Sequence, residues 1–126
     1  MGGITDLVFL SRSLGVTLDA SGRVWLCALV ERDGAQPAAL VRQDRLAPAH
    51  EGCTELTVSA DGSCVCAIDT TGLHVLVMDP SKPGSPPADL PMSRINGRLS
   101  SLALGEDGSS IVVGTSCGLL IKWDRL

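Results

Sequence analysis

Three glycines, Gly22, Gly72 and Gly118, each separate two short apolar runs of the chain. The runs that follow them occupy residues 24–28, 73–78 and 119–123. Short runs that are rich in β-branched residues and bounded by Gly, Asp and Ser predict strands rather than helices. The glycines lie 50 and 46 residues apart, so the pattern indicates an internal repeat.

A second marker recurs upstream in the later two units. Asp61-Gly62 and Asp107-Gly108 each lie between apolar runs, and the glycine of each pair comes 10 residues before the later glycine of its unit. Asp-Gly between two strands predicts a tight hairpin turn, because these residues tolerate positive φ. The first unit has Ser-Arg-Ser at residues 11–13 instead.

Each unit therefore predicts three strands joined by two tight turns, with a weaker fourth strand in the longer connection. The fourth strand is expected at residues 38–42 and 88–92, whereas the third unit reaches residue 126 before any such strand. We expect a single domain over residues 1–126, with units at about 4–46, 54–92 and 99–126. A short helix over residues 38–46 is the alternative to the first outer strand.

A proline-rich segment joins the second and third units. Residues 80–91 contain five of the seven prolines, which excludes a central strand and predicts a surface loop. Pro83 and Pro86 belong to Pro-x-x-Pro spacings that a proline-reading partner could bind, although a plain solvated loop explains them as well.

Composition narrows the possible partners and the compartment. Of 126 residues, 44% are hydrophobic, the net charge is −4, and the ten Lys and Arg residues are scattered. Direct binding of DNA or RNA is not expected, because a basic stripe and stacking aromatic residues are both lacking. No apolar run reaches membrane-spanning length, so membrane insertion is not expected. Five cysteines fit no disulfide framework, and we expect a cytoplasmic or nuclear protein that is not secreted.

Several motifs resemble the WD-repeat family. The third unit ends in Trp123-Asp124, residues 59–62 are similar to the family's Ser-Pro-Asp-Gly turn, and His50 lies 11 residues before Asp61, near the family's Gly-His position. The resemblance covers about three units of the chain and departs from the pattern at the ends of units one and two. It implies an all-β fold, in which β-propeller blades of four antiparallel strands pack side by side.

A second family of repeats shares one segment of the chain. Asp19 to Trp25 is similar to the Asp-x-x-Gly-x-Val-Trp segment of regulator-of-chromosome-condensation and tectonin repeats. Those repeats also build propellers, so this alternative leaves the expected architecture unchanged.

Three blades do not close a ring, since propellers typically have about four to eight. Open ends would leave strand edges and apolar blade faces exposed, which natural proteins avoid. We therefore expect either the first part of a longer propeller or a partner chain that completes the ring.

No catalytic, cofactor-binding or metal-binding constellation emerges from the sequence. Cys64 and Cys66 would face the same side of a strand, but core packing explains them better than a metal pair. His50 and His74 are the only histidines, and no nucleophile accompanies them in a recognisable motif. We therefore expect no enzyme activity and no cofactor.

The predicted function is a non-catalytic scaffold that holds other proteins. A regulatory subunit of an enzyme complex, or a tectonin-like ligand-binding propeller, are the alternatives. Candidate protein contacts are the two tight turns, the proline-rich loop and the open edge at residues 120–126. The residues singled out there are Asp61, Gly62, Pro83, Pro86, Asp107, Trp123 and Leu126. Packing between blades is the competing explanation for Trp123.

Overall fold

The computed structural model describes residues 3–30, 34, 39–91 and 97–124. These residues form three antiparallel sheets and no helix, which confirms the all-β prediction. The helix considered for residues 38–46 is wrong for the described part of that range, because Ala39–Leu46 is a strand. No helix among the described residues is long and apolar enough to cross a membrane.

Each sheet is a simple meander of neighbouring strands, and we call the three sheets blades 1 to 3. Blade 1 contains β1 (Ile4–Phe9), β2 (Leu14–Asp19), β3 (Val24–Val30) and β4 (Ala39–Leu46). Blade 2 contains β5 (Glu55–Val58), β6 (Val65–Ile68), β7 (His74–Met78) and β8 (Ala88–Pro91). Blade 3 contains β9 (Leu99–Leu104), β10 (Ser110–Thr115) and β11 (Leu120–Asp124) in the described part of the chain.

The repeat glycines close the turn between the second and third strands of each blade. The Gly22 amide donates to the Asp19 carbonyl at 2.9 Å, and Gly72 and Gly118 make the equivalent bond. All three glycines have positive φ, the backbone region that favours glycine. The side chain at the start of each turn adds a bond of its own, since Asp19, Asp69 and Thr115 all accept from later backbone amides.

The first hydrophobic core lies between blades 1 and 2. Side chains along the strands point alternately to the two sides of each blade. Blade 1 contributes the side chains on its side that faces blade 2, and blade 2 contributes those on its side that faces blade 1. The buried members are Val16, Leu18, Val24, Leu26, Leu46, Ala47, Cys53, Leu56, Val65, Ala67, Leu76 and Met78. Because successive side chains of a strand point to opposite faces, every second residue of these strands faces the neighbouring blade and packs in this core.

The second core lies between blades 2 and 3. Its buried members are Cys64, Cys66, Ile68, Val75, Val77, Leu99, Ile111 and Val113. Strand β6 supplies both cores, and each of its four residues is buried. Burial on both faces explains why this strand is a continuous apolar run. Cys64 and Cys66 are 5% and 0% exposed within the second core, as the core-packing interpretation expects.

The turns of the three blades meet on two opposite faces of the stack. In a meander, the first and third connections lie at one end of the blade and the second at the other. We call the end formed by residues 10–13, 59–63, 79–87 and 105–109 the Asp-Gly face. The Asp61 amide donates to the Glu106 carbonyl at 2.9 Å there, which joins the turns of blades 2 and 3. At the other end, the Gly52 amide donates to the Ser21 carbonyl at 2.9 Å.

Candidate functional site

The side of blade 1 that faces away from blade 2 carries exposed apolar residues. Leu7 and Phe9 lie opposite Thr17 and Gly15 in the β1–β2 register, and they are 40% and 51% exposed. In blade 2 the position that corresponds to Leu7 is Leu56, which is only 6% exposed because blade 1 covers it. This outer face of blade 1 therefore has the chemical character of a blade interface without a neighbouring blade.

The outer face of blade 3 shows the same contrast more strongly. Leu120 pairs with Gly114 and is 76% exposed. The corresponding residues are Val24 in blade 1, which pairs with Leu18, and Val75 in blade 2, which pairs with Ile68. Val24 and Val75 are 1% and 0% exposed, because the next blade covers each of them. Stacking of the blades therefore buries this position in blades 1 and 2, whereas the equivalent residue of blade 3 is exposed.

The edge of β11 is also open within the described residues. In blades 1 and 2 the third strand pairs with a fourth, whereas β11 pairs only with β10. An unpaired edge presents backbone donors and acceptors that can bind another strand. Trp123 does not extend from this edge: it is half-buried and packs against the second core. Leu126, the other residue predicted here, lies outside the described residues.

The Asp-Gly face brings together most of the other predicted contact residues. The Ser63 hydroxyl oxygen lies 3.3 Å from the Asp107 carbonyl oxygen, so Asp61, Gly62 and Asp107 occupy adjacent turns. Pro86 lines a groove beside these turns, and Pro83 is exposed in the same loop. The sequence showed no signal for this grouping, because the turns belong to separate repeats and meet only through stacking.

Hydrogen bonds keep the carboxylates of the Asp-Gly face ionised. The Asp61 Oδ1 atom accepts from the Ser63 hydroxyl at 2.6 Å and the Ser63 amide at 2.9 Å, which lowers the pKa of Asp61. Ser81 lowers the pKa of Asp79 in the same way, and Ser109 lowers that of Asp107. This face is therefore negatively charged at these three positions at neutral pH.

Sequence reasoning missed the network around Asp19. Its carboxylate accepts from the amides of Ser21 and Arg23, each at 2.9 Å, and from Trp25 Nε1 at 3.1 Å. Burial alone would raise the pKa of Asp19, but these hydrogen bonds outweigh it, so the pKa is lowered. The Arg42 guanidinium lies 4.9 Å from the centre of the Trp25 ring. These contacts fix the Trp25 side chain, which forms part of the outer face of blade 1.

His74 forms a close pair with the outer strand of blade 2. Its Nδ1 atom lies 2.6 Å from Asp89 Oδ1, and this hydrogen bond raises the pKa of His74 above 6.5. A raised pKa means that the pair stabilises the fold fully below pH 6.5 and loses this effect as the pH rises through the folded-state pKa.

The pair can be tested by following the His74 ring signals by NMR as a function of pH. We expect a titration midpoint above 6.5 in the wild type. The Asp89→Asn variant should lower the midpoint, because it removes the charge that favours the protonated ring. An unchanged midpoint in that variant would contradict the close pairing of the His74 and Asp89 side chains.

Comparison with known proteins shows the fold. No protein-family model and no curated protein sequence matches this chain. Its structure is similar to a crystal structure described as the Myceliophteria thermophila Cps50 (Swd1) β-propeller domain, with a TM-score of 0.67 over 98% of this chain at 13% identity. The chain spans 38% of the length of that protein. The stacked blades are therefore part of a β-propeller, as predicted.

Metal ligands do not cluster in the part of the chain that the structure describes. No three His, Cys, Asp or Glu residues among those described are arranged to hold a metal ion. The features that distinguish this structure are instead its two exposed apolar blade faces, the open edge of β11 and the acidic turn face.

Proposed function

We propose that the chain is a non-catalytic interaction scaffold whose outer blade faces pack against further propeller blades, supplied by another chain or by other segments of a longer protein. The observation that carries the proposal is the exposure of Leu120. It is 76% exposed at a position where Val24 and Val75 are 1% and 0% exposed.

The energetics favour covering these faces. Full burial of a leucine or phenylalanine side chain contributes about 1.5–3 kcal/mol. Leu7, Phe9 and Leu120 would each supply part of that energy, and an added fourth strand would satisfy the open edge of β11. Together these features support an interface formed by shape and apolar contact.

The scaffold role rests on the geometry of the stack. Rigid blades hold the turns of the Asp-Gly face in fixed positions, and such loops commonly carry binding function. We propose a cytoplasmic or nuclear location, which is supported by four buried cysteines that pack as small hydrophobic residues.

Isolation of the tagged chain from cells, followed by mass spectrometry, tests this function. We expect partner proteins to be recovered with the wild type and lost with Leu120→Asp, because a carboxylate at this position would be buried in the blade interface. Val41→Asp is the matched control, since Val41 is 47% exposed on the outermost strand β4, away from both outer faces.

Two outcomes would count against the scaffold proposal. One is recovery of the same proteins by the wild type and Leu120→Asp, and the other is the absence of any specific partner. A salt titration adds a further check, because shape-driven apolar association should change little between low and high ionic strength, unlike association between exposed charges.

A further inference from the structure

Residues 124–126 repeat a tripeptide that forms the end of strand β4. Residues 44–46 and residues 124–126 are both Asp-Arg-Leu. In blade 1 this tripeptide belongs to the fourth strand, where it pairs with residues 24–26 of β3. In blade 3, Asp124 ends β11, and the next two residues lie outside the described part of the chain. The sequence that covers the third strand of blade 1 is thus present again beside a third strand whose edge is open within the described residues.

The two completed blades show what the open edge of β11 would accept. Leu120 occupies the position of Val24 in blade 1 and of Val75 in blade 2. On the fourth strand, Leu46 lies opposite Val24 and Leu90 lies opposite Val75. Both completed blades therefore place a leucine at the position that is open beside Leu120.

The backbone hydrogen bonds of blade 3 show which groups this edge presents. The Thr115 amide donates to the Leu119 carbonyl at 2.9 Å, so these two residues form a hydrogen-bonded pair. Hydrogen-bonded and non-hydrogen-bonded pairs alternate along an antiparallel ladder. The N–H and C=O groups of Leu120, Lys122 and Asp124 consequently point away from β10 and toward the open edge. Their spacing is the one that a further antiparallel strand requires.

We propose that β11 pairs antiparallel with β11 of a second copy of this chain, around a two-fold axis that passes through Trp123. In this register, residues 124–126 of each copy lie opposite residues 120–122 of the other. Residues 44–46 lie opposite residues 24–26 in the same way within blade 1. Each copy thereby supplies the fourth strand of blade 3 in the other copy, and the interface is the same patch on both chains.

The charges of β11 select this register. It places Lys122 opposite Asp124 of the second copy, and by symmetry Asp124 opposite the second copy's Lys122. These side chains are exposed and already form an ion pair within one chain, at 3.4 Å. A shift of two residues either way would place Lys122 opposite Lys122 or Asp124 opposite Asp124, and like charges directly opposite each other destabilise a strand pair. A shift of one residue would lose the backbone bonding pattern.

The inference rests on the proposed function only in that blade 3 requires a fourth strand. It concerns the edge of β11 and names its occupant, whereas the stacking of further blades concerns the outer faces. The pairing of two edges does not require either outer face to be covered, so each proposal has its own test.

Disulfide cross-linking between two variants of the 126-residue chain tests the register. Both variants carry Cys117→Ser, which removes the exposed native thiol. One also carries Lys122→Cys, and the other carries Asp124→Cys. Opposite residues of a hydrogen-bonded antiparallel pair have Cα atoms about 5.5 Å apart, a distance that a disulfide spans. We expect glutathione disulfide to convert an equimolar mixture into a dimer linked between positions 122 and 124, identified by mass spectrometry.

Each variant alone is the matched control for the mixture. Two cysteines at position 122, or two at position 124, are offset by two residues along the paired strands. This offset places their Cα atoms more than about 7 Å apart, beyond the reach of a disulfide. We therefore expect at least about tenfold less cross-linked dimer from either variant alone.

Lys122→Pro tests the backbone pairing by sedimentation equilibrium. Proline lacks the N–H that points to the open edge, but the bond pattern of β10 and β11 does not use that N–H. We expect the dimer Kd to rise at least about tenfold, because proline on an edge strand blocks further pairing. Lys122→Ala keeps the N–H and should raise Kd less than about tenfold, since exposed ion pairs contribute little. Lys82→Ala, in the loop of residues 79–87, should leave Kd unchanged.

Two outcomes would overturn the inference. One is the absence of the 122–124 cross-link from the mixture, and the other is an equal dimer Kd for the wild type and Lys122→Pro. If the cross-link is absent while Leu120→Asp still abolishes the recovery of partner proteins, only this inference fails. If the cross-link forms and no partner protein is recovered, only the scaffold proposal fails.

Discussion

Replacement of Gly22 by alanine is expected to destabilise the fold by about 3–5 kcal/mol, the largest effect among the equivalent turn glycines. Gly22 has a φ of 73°, and a Cβ atom there would lie 2.4 Å from the Gly52 Cα and the Cys53 amide nitrogen. Both neighbours are backbone atoms of the connection between blades 1 and 2. The turn or the connection would have to move, and the 3.0 Å bond from the Cys53 amide to the Gly22 carbonyl would weaken.

The repeat itself supplies the control for this substitution. Gly118 occupies the same turn position in blade 3 with a φ of 87°, but among the described residues no atom beyond its two chain neighbours lies within 4 Å of its added Cβ. Gly118→Ala should therefore lower the free energy of unfolding through backbone strain alone, by about 1–2 kcal/mol. Urea denaturation of the two variants measures the difference. Equal losses of stability would show that the contact between the turn of blade 1 and the Gly52–Cys53 connection is not present.

Replacement of Ile68 by alanine is expected to reduce the free energy of unfolding by about 2–5 kcal/mol. Ile68 is 0% exposed in the second core, where it pairs with Val75 and where blades 2 and 3 pack together. Truncation removes apolar contacts and leaves a cavity that the surrounding β-strands fill only in part.

Ile4→Ala is the matched control, because Ile4 is 55% exposed at the start of β1. In the same denaturation experiment, Ile4→Ala should change the free energy of unfolding by no more than about 0.5 kcal/mol. A small effect of Ile68→Ala would mean that blades 2 and 3 do not share the packed interface described above.

The strands and tight turns of this fold could be predicted from local pattern. Gly22, Gly72 and Gly118 mark turns with positive φ, and Asp61-Gly62 marks a hairpin turn with the same property. These signals lie within a few residues of the structure that they specify. The sequence of β4 is compatible with a helix as well as a strand, because apolar and polar residues alternate imperfectly along it. Pairing with β3 decides its conformation.

Features that depend on stacking could not be predicted in the same way. The Asp-Gly face brings Ser63 of one repeat next to Asp107 of the following one, and their proximity follows from the packing of the second core. The exposure of Leu7 and Phe9 also has no local signal. It becomes visible only when these positions are aligned with Leu56 and its neighbours, which the adjacent blade covers.

The central claim is that the outer faces of blades 1 and 3 are interfaces. Light scattering on the 126-residue chain, measured over a range of concentrations, tests it most directly. The claim predicts a mass above the 13.1 kDa of one chain that rises with concentration, and it predicts that Leu120→Asp lowers this mass. A folded, monodisperse species of 13.1 kDa at every concentration would contradict it.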